Sequence, residues 1–169
     1  YKLFQDIEVP LAYVLFYMEK EGVTIDIPFL KDLSKETTKQ MAVLTAKVYQ
    51  MAGEEFNLNS PKQLGHILFE KLKLPVVKKT KTGYSTDEDV LRRLAVKHEI
   101  PQEILNYRQL AKITSTYIDA LPQLVNAETH RIHATFDQAG TETGRLSSRN
   151  PNLQNIPIRT ELGRQIRKA

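Results

Sequence analysis

The densest set of hydrogen-bonding side chains in the sequence lies between Thr141 and Arg159. This segment has no carboxylate after Glu142, and Pro151 and Pro157 exclude regular helix because proline lacks an N–H and fixes φ. Arginine, asparagine and glutamine in such a segment match the phosphates and base-edge acceptors of a nucleic-acid duplex. An ordinary solvated loop is the simpler alternative, since Asn and Pro also favour turns for local reasons. The donor side chains of this segment are Arg145, Arg149, Asn152, Gln154, Asn155 and Arg159.

The positive charge of the chain is concentrated in the same region. Residues 1–130 contain 17 basic and 17 acidic side chains, whereas residues 131–169 contain seven basic and three acidic ones. The whole formal charge of +4 therefore belongs to the C-terminal segment. This asymmetry would attract an anionic partner, and a solvated basic face is the alternative.

Two further groups of basic residues precede that segment. Lys78, Lys79 and Lys81 lie in a loop with little apolar content, which is expected to be mobile and, without a counter-charge, to contact phosphate non-specifically. A merely solvated loop is equally compatible with these residues. Arg108 and Lys112 are four residues apart on a predicted helix and share a face, opposite either an anionic group or solvent.

Apolar residues at helical spacing predict a first helix over about residues 5–21, ended by Gly22. A second helix, capped by Asp26, is predicted to run to residue 52, which corresponds to roughly 40 Å. Its apolar stripe is narrow, so it must pair with another helix.

Two helix starts carry capping signals. Ser60 followed by Pro61 and Gln63 predicts an N-cap with a capping box, and a phosphate could also bind at such a terminus. A plain structural cap is at least as good an interpretation of Ser60. Ser85 and Glu88 predict a second capping box.

The pattern changes towards the C-terminus. A helix is predicted over residues 101–121, followed by a strand over residues 132–137 that buries Ile132, Ala134 and Phe136. A second short strand is expected over residues 145–147, and Thr160 is predicted to cap a last helix. Long helices followed by a small β element predict a predominantly α-helical α+β fold.

Composition sets limits on the class of protein. The 169 residues suit one domain or slightly more, and no run approaches the ~20 apolar residues of a membrane span. Nothing resembles a secretory leader, and the absence of cysteine fits a cytoplasmic protein. His66, His98 and His130 have no ligand-like spacing with one another, so no metal site is predicted. A first residue other than Met and a last residue inside a predicted helix led us to expect a portion of a larger protein.

Residues 143–148 (TGRLSS) and 151–157 (PNLQNIP) resemble the signature at the thumb–palm junction of family A DNA polymerases, of the bacterial DNA polymerase I type. Residues 59–64, 68–72, 78–86, 107–110 and 115–117 resemble the thumb of the same family. The resemblance implies a long antiparallel helix pair with a small helical tip. It also implies that residues 1–25 end an exonuclease-like domain, 26–130 form the thumb and 131–169 begin the palm.

The resemblance assigns roles to individual residues. Arg145 resembles the arginine that enters the minor groove at the primer terminus, and Arg159 resembles an arginine near the nucleotide site. Donors in the minor groove can test pair shape without reading sequence, because every base pair presents acceptors there. Four residues resemble polar residues of the family that contact DNA near the same place: Thr141, Asn152, Gln154 and Asn155. Five others resemble thumb residues that face the DNA backbone: Asn57, Ser60, Ser85, Arg108 and Lys112.

The aspartates that hold catalytic Mg²⁺ in this family have no match here, and neither Asp137 nor Glu142 corresponds to them. The resemblance therefore implies a Mg²⁺-dependent, DNA-directed DNA polymerase as the parent. Its partners are primer–template DNA and dNTPs, its processes are replication and repair, its location is the bacterial cytoplasm, and no membrane is involved. These 169 residues alone are expected to bind DNA weakly and not to polymerise. The alternatives are a stand-alone, non-sequence-specific nucleic-acid-binding module and a helical scaffold with an incidental basic tail.

Overall fold

A computed structural model of the protein describes residues 1–81 and 83–169. Thr82, in the predicted basic loop, lies outside the described residues. The chain forms two compact units, which we call unit 1 (residues 1–34 and 113–169) and unit 2 (residues 35–112). The subdomain boundaries after residues 25 and 130 come from the family resemblance and stay predictions.

The described residues are mostly helical, as predicted. The α-helices are α1 (Val9–Glu21), α2 (Ile27–Ala52), α3 (Pro61–Gly65), α4 (Glu88–Ala95), α5 (Glu99–Ile113) and α6 (Glu161–Lys168). Segments of π-helix lie at Phe4–Glu8, His66–Lys71 and Thr114–Ile118, and a 3₁₀-helix lies at Leu121–Leu124. The strands are β1 (Lys79–Thr80), β2 (Gly83–Tyr84), β3 (Thr135–Asp137) and β4 (Ser147–Arg149).

The end of α1 and the start of α2 lie where local chemistry predicts them. Gly22 ends α1 with φ of +69°, a conformation that favours glycine. The Asp26 carboxylate accepts the N–H of Phe29 at 2.9 Å and so caps α2. Along α1, Leu15 is buried, whereas Val14 and Met18 are about half exposed.

Helix α5 begins two residues earlier than predicted, at Glu99. Pro101 therefore lies in its first turn, where the missing N–H removes no intrahelical hydrogen bond. The helix passes into a π-helical segment, and Pro122 belongs to the following 3₁₀-helix.

The ends of α2 and α5 meet in both units. In unit 2, Val48 and Ala52 share a core with Ile100 and Ile104. In unit 1, Leu30 shares a core with Ile113. Within unit 2 the end of α2 thus lies by the start of α5, and within unit 1 the start of α2 lies by Ile113, the last residue of α5.

The helical tip completes unit 2. Short helices α3 and α4 and the π-helical segment between them bury apolar residues against the α2–α5 pair. The fully buried members of this core include Leu64, Ile67, Leu68, Val90, Leu91 and Leu94.

Strands β3 and β4 form an antiparallel hairpin in unit 1, with Thr135 opposite Arg149 and Asp137 opposite Ser147. This register moves the second strand two residues beyond the predicted 145–147 and leaves Arg145 in the turn. Ile132 lies outside the hairpin and pairs in an isolated bridge with Val23. Within residues 1–81 and 83–169, no helix combines the length and apolar character needed to cross a membrane.

Candidate nucleic-acid interface

The turn between β3 and β4 presents Arg145 to solvent. The Thr141 hydroxyl donates to the Arg145 carbonyl at 2.6 Å, and the Gly144 N–H donates to the Thr141 carbonyl at 3.4 Å. Thr141 therefore closes the turn, and its own contact with nucleic acid stays a prediction. The Arg145 side chain is exposed, and among the described residues its guanidinium has no hydrogen-bond or ion-pair partner. Its five N–H donors are free for a ligand.

Asn152 folds the start of the polar segment that follows β4. Its Oδ1 atom accepts the N–H groups of Gln154 at 3.2 Å and Asn155 at 3.3 Å. The buried Ser148 hydroxyl accepts the N–H of Leu153 at 3.0 Å, so the turn is held from two sides. Because Asn152 uses its amide oxygen within the chain, its N–H donors are what it offers to a partner.

Three predicted contact residues follow in extended or irregular backbone. The side chains of Gln154, Asn155 and Arg159 are exposed. In the part of the chain that the structure describes, none of the three side chains has an internal hydrogen-bond partner. Unit 1 thus carries exposed, internally unpartnered donors on a stretch of chain, residues 145–159, that contains no carboxylate.

In unit 2, Ser60 caps α3 as predicted, because its hydroxyl accepts the Gln63 N–H at 3.4 Å and Pro61 opens the helix. The other half of the predicted capping box is wrong. The Gln63 side chain accepts the N–H of Asn57 at 2.7 Å, while the Ser60 N–H donates to the Asn57 carbonyl at 3.0 Å. Because the Asn57 carbonyl already accepts the Ser60 N–H, the Gln63 side chain accepts the Asn57 N–H instead.

The basic segment forms a short antiparallel hairpin in which Lys79 pairs with Tyr84 and Thr80 pairs with Gly83. An irregular loop was expected, and its mobility stays a prediction. Lys79 and Lys81 are exposed. Lys78 is also exposed, but its ammonium lies 2.9 Å from Asp87, so the expectation of three lysines without a counter-charge is wrong.

Asp87 organises the end of this hairpin. Its Oδ1 atom accepts the Val90 N–H at 2.9 Å, and its Oδ2 atom accepts the Ser85 hydroxyl at 2.8 Å and the Lys78 ammonium. The Val90 N–H, Lys78 and Ser85, in that order, lower the pKa of Asp87 from 3.8 to about 2.

The predicted Ser85–Glu88 capping box is therefore wrong, because Asp87 takes the N-cap position of α4. Ser85 is 5% exposed and Glu88 pairs with Arg92 at 2.6 Å. The predicted DNA contact of Ser85 stays a prediction, and its hydroxyl is already engaged within the hairpin.

Arg108 links α5 to the segment before α4. Its Nη1 donates to the Thr86 carbonyl at 2.5 Å, and Nη2 lies 3.5 Å from the Thr86 hydroxyl. Burial lowers the pKa of Arg108 below its ordinary value. The solvated-charge alternative does not describe Arg108, whereas Lys112 is exposed on the same helix. Contacts of both residues with DNA stay predictions.

The structure thus gathers the predicted residues into groups within each unit. Unit 1 holds the exposed donors of residues 145–159, and unit 2 holds the Asn57–Ser60 turn and the set joined through Asp87 and Thr86. Sequence reasoning missed Asp87, although aspartate is as good an N-cap as serine and lies three residues before buried Val90.

In the described ranges 1–81 and 83–169, no three His, Cys, Asp or Glu side chains could together hold a metal ion. These ranges therefore contain no set of side chains that fits a Mg²⁺ site.

Comparison with known proteins places this geometry in context. DNA polymerase family A matches residues 27–169. DNA polymerase I of Bacillus subtilis (strain 168) is 55% identical over 168 residues, which cover 99% of this chain and 19% of that protein. DNA polymerase I, thermostable, of Thermus aquaticus is 50% identical over 169 residues, covering 99% and 20%. The solved POL domain of Pol1 from M. smegmatis, in complex with DNA primer-template and dNTP, matches with a TM-score of 0.86 and 44% identity, covering 99% of this chain and 30% of that one. The chain therefore spans about a fifth of the length of these curated relatives.

Proposed function

The chain belongs to DNA polymerase family A, and we propose that it is the DNA-gripping part of a longer DNA-directed DNA polymerase, formed by the thumb and the entry to the palm. The observation that carries the proposal is that Arg145, Gln154, Asn155 and Arg159 are exposed and, among the described residues, have side-chain donors without internal partners. Donors of this kind can contact minor-groove acceptors and phosphates together. The relative of known structure that holds DNA primer-template and dNTP supports the assignment.

The parent enzyme would act in bacterial cytoplasmic replication and repair, with primer–template DNA, dNTPs and Mg²⁺. The described residues are proposed to bind DNA and not to hold the catalytic metal ion, because they include no cluster of metal ligands. The isolated chain is accordingly proposed to bind duplex DNA weakly and not to extend a primer.

Primer-extension kinetics of the parent enzyme test the proposal. Arg145→Ala should slow extension strongly while the thermal unfolding temperature stays unchanged, because the side chain has no internal partner. Arg149→Ala is the matched control, since Arg149 is an exposed arginine on β4 with no assigned role. Equal extension by both variants would contradict the proposal, and tight saturable DNA binding by the isolated chain would favour a stand-alone module.

A further inference from the structure

Helix α6 lies in direct contact with the polar segment that precedes it. Gly163 is buried at this contact, and a Cβ added there would lie 2.2 Å from the Pro157 carbonyl oxygen. A distance this short to backbone cannot be relieved by a side-chain movement. Only glycine therefore allows α6 to approach the backbone at Pro157 this closely.

Two arginines of α6 bind the backbone on either side of Pro157. Arg167 Nη2 donates to the Ile156 carbonyl at 2.9 Å. Arg164 Nη1 donates to the Arg159 carbonyl at 3.3 Å, and its guanidinium is also paired with Glu161 at 2.6 Å. Hydrogen bonds from a charged donor are stronger than neutral ones, so these contacts restrain the two carbonyls.

The restrained backbone carries the free donors described above. Residues 156–159 lie outside any helix or strand, and Pro157 has no N–H with which to fix its own backbone. The Ile156 carbonyl follows directly after Asn155, and Arg159 ends the same short segment. Side chains of α6, together with the Asn152 turn that binds the Asn155 N–H, thus restrain the backbone that presents Asn155 and Arg159.

We propose that Arg167 is a positioning residue for DNA binding, whose guanidinium holds the Ile156 carbonyl and so fixes the direction of Asn155 and Arg159. This inference rests on the proposed function of the same segment. Arg167 is itself exposed, so direct contact with a DNA phosphate is the competing role that a test must separate.

The experiment compares Arg167→Gln, Arg167→Lys and Lys168→Gln in the parent polymerase at a temperature at which all variants are folded. Lys168 is the matched control, because it is the exposed neighbour and its replacement removes the same charge. The measured quantities are kcat, KM for primer–template DNA, and the slope of log Kd for that DNA against log salt concentration.

Arg167→Gln should lower kcat/KM about tenfold, because losing one hydrogen bond from a charged donor should leave roughly one molecule in ten with the segment in its binding conformation. Its salt slope should match that of Lys168→Gln, and Arg167→Lys should restore part of the loss because an ammonium can still donate. Identical kcat/KM for Arg167→Gln and Lys168→Gln would overturn the inference. A salt slope that falls by about one more unit in Arg167→Gln would also overturn it, since that is the signature of a lost phosphate contact.

The Arg145→Ala variant separates this result from the proposed function. If Arg145→Ala impairs extension and Arg167→Gln behaves as the control, only the positioning role fails. If Arg145→Ala has no effect, the proposed function itself fails.

Discussion

Arg108 should stabilise the folded protein whether or not it also contacts DNA. Its guanidinium donates at 2.5 Å to the carbonyl of Thr86, a residue that is only 5% exposed. In Arg108→Ala that carbonyl loses its charged donor in a site with little access to water. The second contact, at 3.5 Å, is at the limit of hydrogen bonding and adds little.

The magnitude follows from these contacts. Losing a hydrogen bond to a charged group and leaving a buried carbonyl unpaired should lower the free energy of unfolding by about 2 kcal/mol. For a chain of 169 residues this corresponds to a fall in Tm of roughly 4–8 °C.

Thermal unfolding followed by circular dichroism measures the effect. Arg93→Ala is the matched control, because Arg93 is an exposed arginine of α4 without a partner among the described residues. It should change the free energy of unfolding by less than about 0.5 kcal/mol. If Arg108→Ala unfolds at the same temperature as Arg93→Ala, the stabilising role assigned to the Thr86 contact is wrong.

Three further predictions concern the hairpin and α6. Gly163→Ala should lower the free energy of unfolding by about 1–3 kcal/mol, because the new methyl group overlaps the backbone at Pro157. Chemical denaturation measures this change, and an unchanged free energy of unfolding would contradict the close contact. The pKa of Asp87 is lowered from 3.8 to about 2, so its contribution to stability is complete above pH 3.8 and is lost as the pH falls towards 2. Asp87→Asn should lack this component in melts taken from pH 5 to pH 2, and identical pH profiles would refute it. Replacing Lys79 and Lys81 with alanine should reduce the magnitude of the salt slope of DNA binding by about two, whereas Lys78→Ala, whose ammonium is already paired, should change it less.

Local rules identified much of the fold from sequence. Asp26, Ser60 and Thr160 each cap the predicted helix, because an N-cap depends on one side chain and the N–H two or three residues later. The long α2 helix was equally clear, since its stripe from Leu30 to Val48 repeats at helical spacing over many turns.

Other features depend on choices that spacing alone does not determine. Ser85, Thr86 and Asp87 are all N-cap residue types, and only the folded hairpin selects Asp87, by bringing Lys78 and Ser85 to its carboxylate. The register of β3 and β4 is set by the length of the turn, which alternation cannot show.

The sequence predicted which donors form the candidate site, but it did not predict the internal contacts that hold their backbone in place. Arg145, Gln154 and Asn155 are exposed, as a binding role requires. One contact that holds the segment comes from Arg167, eleven residues after Ile156, through a side-chain-to-backbone hydrogen bond that has no sequence signature.

The most direct test of the central claim is a structure of the parent polymerase with primer–template DNA bound. We expect donors of Arg145, Gln154 and Asn155 within about 3.2 Å of DNA acceptors, with Arg145 at a purine N3 or pyrimidine O2 in the minor groove. A duplex bound elsewhere, with these three side chains left in solvent or turned into the protein, would contradict it.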